Sequence, residues 1–210
     1  MNALGVPFNK IIIYDGRSNA WPTYSPYIGK GLPDDVIVSE GNKALGGMAK
    51  VTLPWNNPKK YKCTKAMVDG SVDILVNIAN NKGCDKEFGL TTLTLKNHAG
   101  TFEPMPLHLG GGIDYLLAFS RSKEIMGTIT ARQQLCIVDS LWAMRKGPFG
   151  VPEERLDRIV MGTFSPAVDY LTARKIREPL LGVSHTNIDR FLADFGYNTN
   201  DINDLVMASL

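Results

Sequence analysis

The sequence predicts an α/β fold, a mostly parallel central sheet flanked by helices, in a single domain over residues 1–210. Three observations carry this expectation. Apolar runs of strand length occur at Lys10–Asp15 (KIIIYD), Val72–Ile78 (VDILVNI) and Leu135–Asp139 (LCIVD). They are continuous rather than alternating, which suits strands covered on both faces of a parallel sheet. Helical stretches with recognisable start and stop signals lie between and after them. The best-ordered piece is Leu135–Ala173. There LCIVD, a loop with Gly147-Pro148 and Gly150, the strand RIVMG ending at Gly162, and a helix opened by Ser165-Pro166 follow one another.

Taken in order, NALG reads as a helix tail stopped by Gly5, and KIIIYD follows at once. A doubly wound domain begins with a strand, so the chain reads as lacking an initial βα element or taking one from a partner. Residues 16–35 are punctuated by glycine and proline and read as a loop, with Trp21, Tyr24 and Tyr27 either packing it down or walling a ligand. DVIVSE and AKVTL (Ala49–Leu53) are short strands, and Lys59-Lys60 marks a solvated turn. GLTTLTLKNHAG fits both periods and is assigned as a helix ending near Gly100. Gly110-Gly111-Gly112 introduces an amphipathic helix over Ile113–Met126. Ser165 is a natural N-cap and Pro166 suits the first helical position. Arg174, Lys175 and Arg177 complement the dipole at the far end, and Pro179 stops the helix. A helix over Thr186–Gly196 and a short one in NDINDLVMASL complete the chain.

Composition narrows the function classes. Hydrophobic residues make up 44% and charged residues 21%, ordinary values for a globular protein. A net charge of +2 with dispersed lysine and arginine argues against a nucleic-acid surface. No apolar run approaches the ~20 residues of a membrane span, and the amino end lacks a secretory signal. Cys63, Cys84 and Cys136 are odd in number and widely spaced, which fits free thiols in a reducing cytoplasm. The expected partners are therefore a small molecule, with no nucleic acid and no membrane.

Ligands of open parallel sheets bind at the carboxyl ends of the strands, near a switch in strand order. Those ends carry Asp15, then Asn80, Asn81 and Lys82, then Asp139, and finally Thr163 and Ser165 at a helix start. Brought to one rim, they suit an anionic metabolite or cofactor. In that arrangement Asp15, Asp139 and Lys96 are the candidate catalytic groups. Lys82, Asn97, Ser165 and Asp169 are the candidate ligand-binding groups, although Ser165 and Asp169 equally suit helix-start chemistry. His98 and His108, with Cys84 and Asp139, offer donors for zinc or iron, but nothing in their spacing requires a metal. His185, just ahead of a helix cap, reads as a local structural residue. Neither GxxxxGK[ST] nor GxGxxG occurs, and the cofactor is left open.

Three segments, in this order, resemble the prokaryotic family known as domain of unknown function 362. VDILVNIANNK followed by LTTLTLKN is similar to its strand and Lys-Asn motif, here Lys96-Asn97. LCIVDSLWAMRKGPFG is similar to its strand ending in Val-Asp, followed by a polar helix and Gly-Pro. IVMGTFSPAVDYLTARKI is similar to its strand followed by Asp-Pro-x-Ala-x-Asp. The likeness runs from Val72 to Gly196. This chain departs from the pattern in carrying Lys82 and Lys86 but no histidine in NNKGCDKEFG, and Ser165 where the family has aspartate. It also lacks the clustered cysteines of many members, so no iron–sulfur cluster is implied. The resemblance implies the fold and the place of a site rather than a reaction.

The function expected from these readings is binding of a small anionic molecule at the carboxyl rim, with or without catalysis. One alternative is a non-catalytic interaction module, forming a homo-oligomer through an exposed sheet edge. The other is a metal-binding protein using His98 and His108.

Overall fold

A computed structural model describes residues 5–16, 33–54, 61–84, 91–127, 132–147 and 150–202. Trp21, Tyr24, Tyr27, the Lys59-Lys60 turn, Lys86, the NALG residues before Gly5 and the last eight residues lie outside them. The described part is built around a four-stranded sheet of order β6-β5-β7-β8, with β5 at Leu75–Gly83, β6 at Thr91–Thr92, β7 at Gln133–Ala143 and β8 at Glu154–Gly162. Two smaller sheets accompany it. In one, β1 (Ile12–Asp15) pairs in parallel with β2 (Ile37–Glu40). In the other, β3 (Met48–Val51) pairs antiparallel with β4 (Tyr61–Thr64).

The helices are short. They are α1 (Lys65–Val68), α2 (Thr94–Asn97), α3 (Gly112–Ser120), α4 (Lys123–Met126), α5 (Ser165–Leu171), α6 (Glu178–Leu181) and α7 (Arg190–Ala193). The expected helix ending near Gly100 is β6 followed by α2, and the expected helix over Ile113–Met126 is α3 and α4 in succession.

The α/β character holds, but the mostly parallel sheet does not. Within the four-stranded sheet only β5 and β7 run parallel; β6 is antiparallel to β5 and β8 to β7. The reason lies in where the strands end. LCIVD and RIVMG leave an 18-residue interval in sequence, room enough for a crossover. In the structure the ladder extends past both LCIVD and RIVMG, pairing Trp142 with Arg155 and Ala143 with Glu154. The connection that remains is shorter than the dozen or more residues a crossover needs, so the strands form a hairpin.

One face of this sheet is covered. Leu75, Asn77, Ala79 and Asn81 of β5 and Cys136, Val138 and Ser140 of β7 are buried on it. Leu93, Val168 and Ile176 pack there with Val160 of β8. On the other face Ile78 is 61% exposed, Ile159 48% and Met161 63%. Among the described residues, helices flank one side of the sheet rather than both. A second, larger core joins β3, β4, α3 and α7. At its centre Phe102 stacks on Phe119 at 5.1 Å, and Tyr115 meets Phe119 edge-on at 5.2 Å.

Pro179 does not end its helix. From Ser165 to Leu181 the backbone stays helical, with a π-helical turn at Thr172–Arg177 between α5 and α6. A proline removes the N–H that an earlier carbonyl needs, and the wider turn ahead of it absorbs the mismatch. Gly182, in the left-handed region at φ 62°, ends the helix instead. No helix of the described residues is long and apolar enough to cross a membrane.

Gly83 closes the carboxyl ends of β5 and β7 together. A Cβ there would fall 2.5 Å from the Arg145 carbonyl oxygen. Gly83→Ala is therefore expected to lower the stability by about 1–3 kcal/mol, read as a shift in the urea midpoint. An unchanged midpoint would show that the two strand ends are not in this contact.

Candidate functional site

The site begins with a helix that cannot cap itself. Leu93 precedes α2 and supplies no side-chain cap. Asp169, one turn into α5, does so from across the fold. Its Oδ1 accepts from the Thr94 backbone N–H at 2.9 Å and from the Thr94 hydroxyl at 2.5 Å, and its Oδ2 accepts from the Leu95 N–H at 2.9 Å. This satisfies orphan donors of the α2 start and pins α2 to α5. Burial pushes the Asp169 carboxyl up to about 7, against the opposite pull of its three hydrogen bonds.

Held in this way, α2 presents Asn97 and His98 to the sheet. Asn97 Nδ2 donates to Asn77 Oδ1 at 2.8 Å and to the Ile78 carbonyl at 2.9 Å. Asn77 Nδ2 donates to the Thr94 carbonyl at 2.7 Å and to Gln133 Oε1 at 2.8 Å, which uses both of its protons. His98 Nε2, 2.6 Å from Gln133 Oε1, is then the donor of that pair. Gln133 Nε2 passes the chain on to Ser165 Oγ at 2.7 Å, and Cys136 Sγ lies 3.1 Å from the same hydroxyl. Burial pushes the His98 imidazole down to about 4 and the Cys136 thiol up to about 12, so both are neutral at ordinary pH.

Above this network lies a cavity of about 470 Å³, lined by Met126, Gln133, Gln134, Thr163, Phe164, Ala167, Tyr197 and Ile202. A second, much smaller pocket, which shares Met126, Gln133, Thr163 and Phe164 with it, is lined by His98 and Ser165. The volume is in the range of small-molecule sites. Phe164 forms an aromatic wall with Tyr197, their ring centroids 5.1 Å apart. The polar lining consists of amides and hydroxyls, with no charged side chain among the residues named. The cavity sits where β7 begins and β8 ends.

No family model matches this sequence, and neither curated proteins nor solved structures provide a significant match to it.

The carboxyl end of β5 and β7 holds different chemistry. Arg177 is completely buried. Its guanidinium donates to Asn81 Oδ1 at 2.5 Å, to the Met144 and Arg145 carbonyls at 3.1 and 3.3 Å, and to His185 Nε2 at 3.2 Å. These acceptors are all neutral, and burial lowers its pKa to about 10. The sequence suggests a helix-end cation here, and Arg174 comes nearest to that role through Glu178 and Asp189. Nearby, Lys96 Nζ donates to Cys84 Sγ at 2.5 Å.

The residues picked from sequence are therefore scattered. Asp15 lies in β1, in a different sheet from Asp139. Asp139 is in mid-strand, opposite Asn80 and Ile159, and its Oδ1 accepts from the Leu141 N–H at 3.0 Å. Lys82 pairs in register with Thr92 at the far end of β5, and Lys96 reaches Cys84. Asn97, Ser165, Asp169 and His98 do come together, as a buried network. His108 is exposed in the turn before α3. Among the described residues no group of three or more His, Cys, Asp or Glu could hold a metal ion. Gln133, Phe164 and Tyr197 are missed from sequence, while Asn77, expected at the carboxyl rim, instead joins the buried network. The two glutamines ahead of LCIVD are the one available signal, since a buried strand rarely opens on two amides without partners for them.

His98 and Asp169 give the stability a testable pH dependence. His98 must charge on unfolding below 6.5 but stays neutral when folded to about 4, so its contribution is lost as pH falls through that window. Asp169 keeps its proton when folded to about 7 but releases it above 3.8 when unfolded, so its contribution is lost as pH rises. The two slopes oppose each other in the native protein. Urea denaturation from pH 4 to 7 is expected to show stability rising with pH in Asp169→Asn and falling with pH in His98→Gln. Parallel profiles for both variants and the native chain would contradict this assignment.

Proposed function

We propose that this chain binds a small molecule in the cavity over Gln133, one with a planar or apolar body and a carbonyl, amide or carboxylate end. The observation that carries the reading is the lining itself. An aromatic wall from Phe164 and Tyr197 faces amide and hydroxyl groups from Gln133, Gln134 and Thr163. Such a lining favours a ligand with a flat apolar surface and one polar, hydrogen-bonding end.

The arrangement favours binding over acid–base catalysis. Ser165 and His98 are separated by Gln133, which donates to the serine and accepts from the histidine. Among the described residues no base is placed to take a proton from Ser165, which nucleophilic catalysis requires. A second reading, an anion site at the opposite end of β5, has Lys82, Lys96 and Arg177 in its favour. Arg177, however, is wholly buried, and its donors are occupied by neutral acceptors.

A thermal-shift panel of benzoate, nicotinate and benzamide tests the proposal. At least one is expected to raise Tm by a few degrees at concentrations about tenfold above its Kd. Ala167→Trp, which fills the cavity, should abolish the shift. Equal shifts in the native chain and the variant, or none from any compound at millimolar concentration, would overturn it.

A further inference from the structure

We propose that Cys84 and Lys96 form an oxidative cross-link, a covalent Sγ–O–Nζ bridge between the end of β5 and helix α2. The geometry already brings the two atoms together, with Nζ 2.5 Å from Sγ. No bond joins the two atoms. A single inserted oxygen would span that separation.

Both partners are held in place from outside the pair. Lys96 lies on α2, whose start is capped by Asp169 and whose last residue, Asn97, is bonded to Asn77 and Ile78. Cys84 directly follows Gly83, which is paired with Thr91 and packed against the Arg145 carbonyl. The three cysteines differ in kind. Cys63 and Cys136 are 0% exposed, and burial raises the pKa of both thiols, which makes them poor nucleophiles. Cys84 is 6% exposed and has a lysine amine on its sulfur.

The oxidant is hydrogen peroxide. The Cys84 thiol takes one oxygen from a first peroxide, giving a sulfenic acid and water. Lys96 gives its ammonium proton to solvent, and the free amine takes an oxygen from a second peroxide to become a hydroxylamine; the O–O bond breaks, an N–O bond forms and water leaves. The hydroxylamine oxygen then attacks the sulfenic sulfur and expels water. Sulfur and nitrogen each lose two electrons, and each peroxide accepts two. The product removes the charge of Lys96 and fixes the end of β5 to the helix that carries His98. This modification site is independent of any ligand in the cavity.

Intact-mass analysis of the full chain after peroxide treatment tests it. The expected product is heavier by about 14 Da, one oxygen gained and two hydrogens lost. It should map to a peptide pair joining Cys84 to Lys96 and revert with dithiothreitol. Cys84→Ser and Lys96→Arg should both lose it, and in Lys96→Arg Cys84 should proceed to sulfinic acid. If a variant fails to fold, peptide mapping of the native chain decides the question alone. Unlinked oxidation of Cys84 in the native chain, a loss of about 2 Da marking a direct S–N bond, or no modification of Cys84 would each overturn the proposal.

Discussion

Much of this structure depends on the carboxylate of Asp169. It is buried, it belongs to α5, and it closes the open start of α2 at Thr94 and Leu95. A four-residue helix is too short to be stable on its own, so α2 exists because this side chain completes it. With α2 in place, Asn97 and His98 meet the sheet, and Lys96 meets Cys84. Because α5 begins at Ser165 and the same helix carries Asp169, the cap also fixes where Ser165 joins the Gln133 network. One desolvated carboxylate thus sets both the floor of the cavity and the position of the lysine.

The central sheet has two chemically distinct ends. Where β7 begins, the groups are neutral: amides, hydroxyls, an imidazole held uncharged and an aromatic wall. Where β5 and β7 end, they are cationic: Arg177 is sealed among neutral acceptors, Lys82 lies at the end of β5, and Lys96 reaches Cys84 just beyond it. The antiparallel course of β8 produces this separation, because it delivers the start of α5 to the amino end of β7. The rule that ligands bind at the carboxyl ends of strands assumes parallel neighbours. Here it points to the end where the cations are, while the cavity lies at the other.

The existence of most elements could be read from the chain, because apolar runs and helix punctuation are local signals. LCIVD and RIVMG lie within strands, IIIYD does so from Ile12, and Ser165-Pro166 opens a helix as its residue types suggest. Strand direction was not legible. It depends on how far β7 and β8 extend beyond LCIVD and RIVMG, into Ser140–Ala143 and Glu154–Asp157, where the two strands pair with each other. For the site, Ser165, Asn97 and Asp169 were recognisable as special, yet their roles were not. Asp169 caps a helix seventy-odd residues away in sequence, and Arg177 is a core residue despite sitting in a basic helix tail. Long-range partnerships of this kind leave no periodic trace.

The proposed ligand site is the cavity lined by Gln133, Thr163, Phe164 and Tyr197, with Gln133 held in place by Asn77, His98 and Ser165. A crystal structure of the protein soaked with benzamide tests it most directly. The expected result is density against Phe164 and Tyr197, with the amide bonded to Gln133, Gln134 or Thr163. A cavity closed by its own side chains, with the compound bound at the Lys82 and Lys96 end of the sheet instead, would contradict the account.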